Sequence, residues 1–162
     1  MFKNYFSNKK ILITGNTGFK GTWLTNFLLI MNSNIVGISK DIPTQPSMFK
    51  DTVSNNQIRQ YYFNIKNFVK LNNVMKKEKP DIVFHLAAQP LVKKSYEDTI
   101  ETWETNVIGT VNLLETLKTY NKKISVIMIT SDKSYKNKEW VWGYRENDEL
   151  GGSDPYSASK AA

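Results

Sequence analysis

Three glycines at three-residue spacing, Gly15, Gly18 and Gly21, stand between a short apolar run and a segment with helical spacing of apolar residues. The run Lys10–Thr14 predicts a buried strand, and the residues from Gly18 to about Met31 predict a helix. Glycines at such a junction allow a tight turn and close approach of the backbone to a pyrophosphate, which the helix N-terminus favours electrostatically. The alternative is a strand-to-helix turn that binds no ligand.

Strands and helices alternate along the rest of the chain. Strands are predicted at residues 34–39, 60–65, 81–86 and 125–130, helices at 68–79, at 99–120 and from about 155, and a loop at 42–57. Short, continuously apolar strands separated by helices are typical of a parallel sheet covered on both faces. The pattern predicts an α/β fold, a Rossmann-like doubly wound sheet, with residues 1–162 forming one cofactor-binding domain.

The composition excludes several classes of function. The formal net charge is +7, but the lysines are dispersed and arginine occurs only at Arg59 and Arg145, so we expect no nucleic-acid partner. No apolar run approaches 18 residues and the N-terminus lacks the apolar stretch of a signal peptide, so we expect no membrane association. Cysteine is absent, which excludes disulfides and thiolate catalysis and is compatible with the cytoplasm. We expect no metal site.

Tyr156 and Lys160 are four residues apart in a predicted helix, which places them on one face. A neighbouring ammonium group favours the phenolate, which can take a hydroxyl proton while the carbon gives a hydride to a nicotinamide. The alternative is a surface pair on an amphipathic helix. The glycine turn and the cluster at residues 130–133 favour the catalytic interpretation, because Ser131 could share the substrate hydroxyl with Tyr156.

Several other side chains have two interpretations each. Asp41 follows the second strand, where an acidic residue can bind a ribose, but it can also be a plain loop aspartate. The adjacent Lys40 leaves a phosphorylated ribose open. His85, the single histidine, is interpreted as a structural residue at a strand end rather than as a catalytic one. Trp140 and Trp142 belong either to a loop near the substrate or to exposed aromatic packing.

With the glycine turn, Asn106 within residues 105–110 and the Tyr156/Lys160 pair, the chain resembles the extended short-chain dehydrogenase/reductases. The segments 14–24, 43–49, 85–92, 130–135, 142–146 and 151–160 are similar to those of CDP-glucose 4,6-dehydratases. The resemblance implies tightly held NAD, CDP-glucose as substrate, CDP-4-keto-6-deoxyglucose as product and a homodimer or homotetramer. The resemblance further implies a role in the synthesis of 6-deoxy or 3,6-dideoxy sugars for bacterial surface polysaccharide. The alternatives are another nucleotide-sugar dehydratase or epimerase, or an NAD-binding remnant without catalysis.

The resemblance also implies catalytic roles. Tyr156 would deprotonate the sugar 4-hydroxyl, Lys160 would hold the tyrosine acidic and contact the ribose, and Ser131 would hydrogen-bond the reacting oxygen. Asp132 would protonate the departing 6-hydroxyl. Lys133 stands where the related dTDP-glucose enzymes have a glutamate that removes the C5 proton, so it is the candidate base. A lysine acts as a base only where its surroundings favour the neutral amine.

The residues implied for NAD binding come from the turn, from strand ends and from two helices. They are Gly15, Thr17, Gly18, Phe19, Gly21, Asp41, Asn64, Ile65, Leu86, Ala87, Ala88, Asn106, Tyr156 and Lys160. Two positions depart from the family pattern. Asn16 stands where members commonly have histidine, and Asn64 stands where an aspartate usually binds the adenine, although an amide can still pair with the adenine amino group.

The chain ends at Ala162, inside the last predicted helix. The resemblance implies a further C-terminal region that holds the nucleotide sugar and completes the sheet. We therefore expect an N-terminal portion of a longer enzyme, with a sheet that is incomplete at its C-terminal side. The fifth strand would lie at an edge, where apolar residues favour aggregation. This polypeptide alone is accordingly expected to be poorly stable and inactive on CDP-glucose.

Overall fold

A computed structural model describes residues 4–54 and 56–162. Residues 1–3, part of the segment inspected for a signal peptide, and residue 55, within the predicted loop, lie outside the described residues. The chain divides into two compact units, Met1–Ala87 with Asn112–Ile129 and Ala88–Val111 with Thr130–Ala162. The expectation of one cofactor-binding domain stays a prediction.

The first unit is built on a parallel sheet. Its strands are β1 (Lys10–Thr14), β2 (Asn34–Ser39), β3 (Ile58–Tyr62), β4 (Ile82–His85) and β5 (Ser125–Met128). Their order is β3-β2-β1-β4-β5, and every neighbouring pair is parallel. The strand order reverses between β1 and β4, the position at which sheets of this type bind ligands beyond the carboxyl ends of their strands. The predicted Rossmann-like fold is confirmed.

The helices alternate with the strands along the chain. They are α1 (Phe19–Ile30), α2 (Met48–Thr52), α3 (Phe68–Glu78), α4 (Val92–Glu97), α5 (Thr99–Trp103), α6 (Gly109–Lys118) and α7 (Pro155–Ala161), with a π-helix at Glu104–Ile108 and a 3-10 turn at Asp132–Ser134. Within the described residues, no helix combines the length and the apolar character that a membrane crossing needs.

Both faces of the sheet carry a hydrophobic core. On one face, Leu12 of β1 packs with Leu71 of α3 and Leu113 of α6. On the other face, Ile11 of β1 packs with Leu28 of α1. Neighbouring residues of one strand enter opposite cores because successive side chains of a strand alternate between its faces. Because β1 is covered on both faces, its three middle residues, Ile11, Leu12 and Ile13, are all apolar and buried.

The second unit surrounds α7. This helix packs against α4, α5, the π-helix and the 3-10 turn. The segment that leads into α7 contains a bridge between Tyr135 and Leu150, and the ring of Tyr135 stacks on that of Tyr144 with centroids 5.0 Å apart. Trp140 is tilted against Tyr144 at 6.0 Å. This arrangement does not decide between the two interpretations of the tryptophans, which therefore stay predictions.

Several predicted boundaries were wrong. The predicted loop at 42–57 contains α2, which forms because the side chain of Ser47 accepts a hydrogen bond from the Lys50 amide and Phe49 is buried. The third strand begins at Ile58 rather than at residue 60, since Ile58 pairs in register with Ile35, and it ends at Tyr62. In both cases a tertiary contact of an apolar side chain selected the element.

The predicted helix at 99–120 is one helical run with an interruption. The π-helix lies between α5 and α6, and the last helical residue is Lys118. The separate short helix α4 was missed, because six residues carry too little periodicity to be recognised. The fifth strand ends at Met128, two residues before the predicted end.

Candidate cofactor and catalytic sites

The glycine turn has a backbone that only glycine fits at two of its positions. Gly15 has φ +74, and a Cβ there would lie 2.8 Å from the Ala87 amide nitrogen. A Cβ on Gly21 would lie 2.1 Å from the carbonyl oxygen of Gly15. The Gly15 amide donates to the Ile38 carbonyl at 2.7 Å, which binds the turn to the end of β2. A side chain at either glycine would clash with backbone atoms of the turn or of the segment after β4, so this tight path, which would let a diphosphate approach the backbone, requires glycine.

The N-terminus of α1 continues this surface. Gly18 is the N-cap, no side chain caps the helix, and its first turn contains no acidic residue. The first amide groups of a helix have no intrahelical acceptor, and the helix dipole gives them partial positive charge. Phe19 lies there and is exposed. The glycine turn and this helix end therefore fit the diphosphate of a dinucleotide.

A buried polar network lies beneath the turn. Asn16 is fully buried, and its amide nitrogen donates to Gln60 Oε1 at 2.7 Å. The Ser39 hydroxyl donates to Asn16 Oδ1 at 2.7 Å and accepts from the Thr17 amide at 3.3 Å. The Thr17 hydroxyl in turn donates to the carbonyl oxygen of Asp41 at 2.6 Å. The turn is thus tied to the exposed segment that carries the predicted ribose-binding aspartate.

The end of β4 is also bound to the turn through side chains. His85 is buried, and its Nδ1 shares a hydrogen bond of 2.7 Å with the Thr14 hydroxyl. The Ala87 amide donates to the same hydroxyl oxygen at 3.2 Å, and the Leu86 amide donates to the Thr14 carbonyl at 3.0 Å. These contacts support the structural interpretation of His85. Ala88, the next predicted cofactor residue, is half-buried.

The predicted adenine-binding residues lie after β3. The Oδ1 atom of Asn64 accepts a hydrogen bond from the Lys66 amide at 3.0 Å, and a carbonyl oxygen has a second lone pair for a ligand. Ile65 is buried in the core that contains Leu71. The side chain of Asn112 donates to the carbonyl oxygens of Ile65 and Lys66, which holds this segment in place.

In the second unit, α7 carries Tyr156 and Lys160 one turn apart, and both are half-buried. Asp154 is the N-cap, accepting the Ser157 amide at 2.9 Å, and Pro155 begins the helix. Burial alone would raise the pKa of Asp154, but hydrogen bonds from Ser157 and Tyr156 and the charge of Lys133 outweigh it and lower that pKa. The helix therefore begins at a stable, ionised cap next to the tyrosine.

The predicted Ser-Asp-Lys cluster lies at the 3-10 turn against which α7 packs. The Ser131 hydroxyl donates to Asp132 Oδ1 at 3.1 Å and accepts from the Lys133 amide at 3.2 Å. Asp132 and Lys133 are exposed. The structure thus brings all five predicted catalytic residues into one unit, on two elements in contact with each other.

Asn106 occupies the π-helix and is buried among polar groups of the second unit. Its Oδ1 accepts the Gln89 amide at 2.8 Å, and its amide nitrogen donates to the Ser159 hydroxyl at 2.8 Å. Ser159 lies on α7 and donates to the Tyr156 carbonyl at 2.7 Å. These contacts make Asn106 a positioning residue for α7, in addition to its predicted place among the cofactor residues.

Sequence reasoning gave no positioning role to the side chains that hold the turn and α7 in place. The set comprises Asn16, Ser39, Gln60, Gln89 and Ser159. One signal was available for the first three: Gly37 lies in the middle of β2, and a glycine inside a strand often marks close approach of another group. Among the described residues, no group of three or more histidine, aspartate or glutamate side chains could hold a metal ion.

Comparison with known proteins identifies several relatives of this chain. A family model described as GDP-mannose 4,6 dehydratase matches residues 12–162. The CDP-glucose 4,6-dehydratase of Salmonella typhimurium strain LT2 is 51% identical over 98% of this chain and 44% of its own length. A dTDP-D-glucose 4,6-dehydratase of Dictyostelium discoideum is 35% identical over 94% of this chain and 38% of its own. The chain thus spans less than half the length of these curated relatives.

Solved structures support the fold. The UDP-glucose 4-epimerase of Thermus thermophilus, determined in complex with NAD, superposes with a TM-score of 0.77 at 24% identity, over 94% of this chain and 47% of the epimerase. At this identity the likeness concerns the fold. The family model, by contrast, covers both the glycine turn and the Tyr156 helix. The chain belongs to the GDP-mannose 4,6-dehydratase family.

Proposed function

We propose that this chain forms part of a longer protein that dehydrates CDP-glucose to CDP-4-keto-6-deoxyglucose with NAD as a bound cofactor. The observation that carries the proposal is the 51% identity to a CDP-glucose 4,6-dehydratase over 98% of the chain, combined with the contact between α7 and the turn that holds Asp132. Acidic and basic side chains on two touching elements suit a reaction that moves several protons.

The residues for the cofactor are those of the glycine turn and the segments near it. Backbone amides of the turn and the N-terminus of α1 would hold the diphosphate, Asp41 the adenosine ribose, and Asn64 with Ile65 the adenine. Bound NAD would supply the acceptor for the hydride that leaves C4 and the donor for the hydride that C6 receives.

The remaining steps belong to side chains of the second unit. Tyr156, paired with Lys160, would take the proton of the 4-hydroxyl, with Ser131 hydrogen-bonded to the same oxygen. The resulting 4-ketone acidifies the hydrogen on C5. Lys133 is the candidate to remove it only in a substrate complex that favours the neutral amine, because in this structure Lys133 is exposed and its charge acts on Asp154. Asp132 would give its proton to the 6-hydroxyl, so that water leaves across C5 and C6.

The second candidate is an epimerase of the same family. It is favoured by the likeness to a CDP-paratose 2-epimerase of Salmonella typhi, which is 29% identical over 94% of this chain. An epimerase expels no hydroxyl group and needs no acid for that step. The presence of Asp132 beside Ser131 therefore favours the dehydratase.

We also propose an oligomeric state, a cellular compartment and a biosynthetic role for the whole protein. A homodimer or homotetramer is proposed because Ile100, Ile108 and Val111 lie exposed at intervals along one helical run. We place the reaction in the cytoplasm, where NAD and nucleotide sugars are available, and its product in the supply of deoxy sugars for surface polysaccharide.

The test is turnover of CDP-glucose by the full-length protein, with the product identified by NMR. Tyr156→Phe and Asp132→Asn should each lower kcat by about 100-fold or more, because each removes a proton-transfer group. Tyr144→Phe, a tyrosine of the same unit without an assigned role, should retain activity. Conversion of CDP-glucose without loss of water would favour the epimerase, and NAD binding without any conversion would favour a non-catalytic remnant.

A further inference from the structure

We infer that the buried network of Asn16, Ser39 and Gln60 sets the separation between two parts of the NAD site, the glycine turn and the segment that carries Asp41. The inference rests on the proposed function, because it concerns how NAD is held. The three side chains bond to one another and to backbone groups, so the inference assigns them as positioning residues rather than catalytic ones.

The network connects three separate stretches of the first unit. Asn16 lies in the turn, Ser39 ends β2 and Gln60 lies in β3. Besides accepting from Asn16 at 2.7 Å, Gln60 donates through its Nε2 to the Tyr61 carbonyl at 3.1 Å. The described residues contain no buried side-chain nitrogen or oxygen without a hydrogen-bond partner. Since buried polar groups are costly when unpaired, the fully paired network favours one geometry of these stretches.

Thr17 joins the two parts of the proposed NAD site. Its amide donates to Ser39 Oγ, and its hydroxyl donates to the Asp41 carbonyl at 2.6 Å. The diphosphate and the adenosine ribose of a dinucleotide are linked covalently, so both subsites can be occupied together only at a defined separation. A protein that holds this separation before binding loses less conformational entropy when the ligand arrives.

Gly37 is a second observation that points to the network. A Cβ on Gly37 would lie 2.3 Å from Gln60 Oε1 and 2.4 Å from Asn16 Nδ2. Glycine weakens a strand interior, and here its missing side chain leaves the space that the two amides occupy. Glycine at this position of β2 therefore leaves room for the side chains of Asn16 and Gln60.

The experiment compares Ser39, the last residue of β2, with Ser33, which directly precedes the strand. Ser39→Ala removes the bonds to the turn, and Ser33→Ala removes a similarly buried hydroxyl that donates to the Phe6 carbonyl at 2.9 Å, away from the turn. Affinity for NAD is measured by calorimetry on the purified protein, with thermal unfolding to verify folding. Ser39→Ala should weaken NAD binding about tenfold, and Ser33→Ala less than about twofold.

A double-mutant cycle separates positioning from general destabilisation. If Ser39 acts by placing Asp41 relative to the turn, Ser39→Ala should cost less than about twofold in an Asp41→Ala background, where the side chain proposed to contact the ribose has been removed. Equal losses in both backgrounds, or an equal loss from Ser33→Ala, would overturn the inference while leaving the proposed function intact. If the wild-type protein does not bind NAD, the proposed function fails first and this inference fails with it.

A second variant covers the case in which Ser39→Ala does not fold. Thr17→Val removes the hydroxyl that donates to Asp41, and Thr25→Val is its control, because Thr25 is buried in α1 and donates to the Gly21 carbonyl at 2.8 Å. The same cycle with Asp41→Ala should show coupling for Thr17 only. Additive losses at Thr17 would refute the inference.

Discussion

Glu78 is the clearest single residue at which burial and charge compete. Its side chain is 0% exposed, yet Arg59 forms an ion pair with it, the Tyr61 hydroxyl donates to it at 2.5 Å and Lys10 Nζ lies 3.7 Å away. Burial alone would raise the pKa of Glu78, but the hydrogen bonds from Tyr61 and Arg59 and the charges of Arg59 and Lys10 lower it overall. The ionised carboxylate thus joins α3 to β1 and β3.

A pH dependence of stability follows from this lowered pKa. The unfolded chain takes up the proton near the ordinary value of 4.5, and the folded chain only at lower pH. The stabilising contribution is therefore complete above that value and is lost as the pH falls through the folded pKa. Unfolding by denaturant at a series of pH values should show a steeper acid loss for the wild-type protein than for Glu78→Gln.

Glu78→Gln should also lower the free energy of unfolding by about 1–3 kcal/mol near neutral pH, because it breaks charge-assisted hydrogen bonds of a buried group. The control is Glu115→Gln, which removes an exposed ion pair with Lys118 and should change the free energy by less than about 0.5 kcal/mol. Equal losses of unfolding free energy from the two substitutions would contradict the prediction that the buried Glu78 carboxylate contributes more to stability than the exposed Glu115–Lys118 pair.

At the scale of elements, the first turn of α7 sets the position of Tyr156, because the helix begins at Pro155 and Tyr156 is its second residue. Asp154→Ala removes the cap that accepts the Ser157 amide and should lower stability by about 1 kcal/mol. The same change should reduce kcat, since the helix start sets the position of Tyr156.

Asp154→Asn is the matched variant for this cap, because asparagine also accepts a hydrogen bond from a helix amide. It should recover most of the stability and of the kcat that alanine removes. A stability loss in Asp154→Ala with unchanged kcat in the full-length protein would separate capping from the placement of Tyr156 and refute the second part of the prediction.

For the whole molecule, the proposed assembly can be tested through the exposed apolar residues of the second unit. Val111 is 51% exposed, and Val69 on α3 is 65% exposed. Val111→Lys should shift the mass measured by light scattering from an oligomer toward a single chain, because burying an unpaired charge in an interface is unfavourable. Val69→Lys should leave the mass unchanged. A wild-type protein with the mass of one chain would contradict the proposed assembly.

Local sequence was sufficient for the parts of the fold that depend on neighbouring residues. The glycine spacing predicted the turn after β1, and the apolar runs predicted β1 and β2 with correct bounds, because strand and turn preferences act over a few residues. The same reasoning missed α2, which is selected by the burial of Phe49, and the π-helix at Glu104–Ile108. Those features depend on contacts that short-range periodicity does not contain.

By itself, the sequence determined the alternation of strands and helices, the glycine turn after β1 and the spacing of Tyr156 and Lys160. Only the tertiary structure decided which polar side chains hold these groups in place. Asn16 meets Gln60 across 44 residues of chain, and Asn106 meets Ser159 across 53. Such pairs arise when the sheet and helices assemble, because a buried amide must find partners wherever the fold brings them.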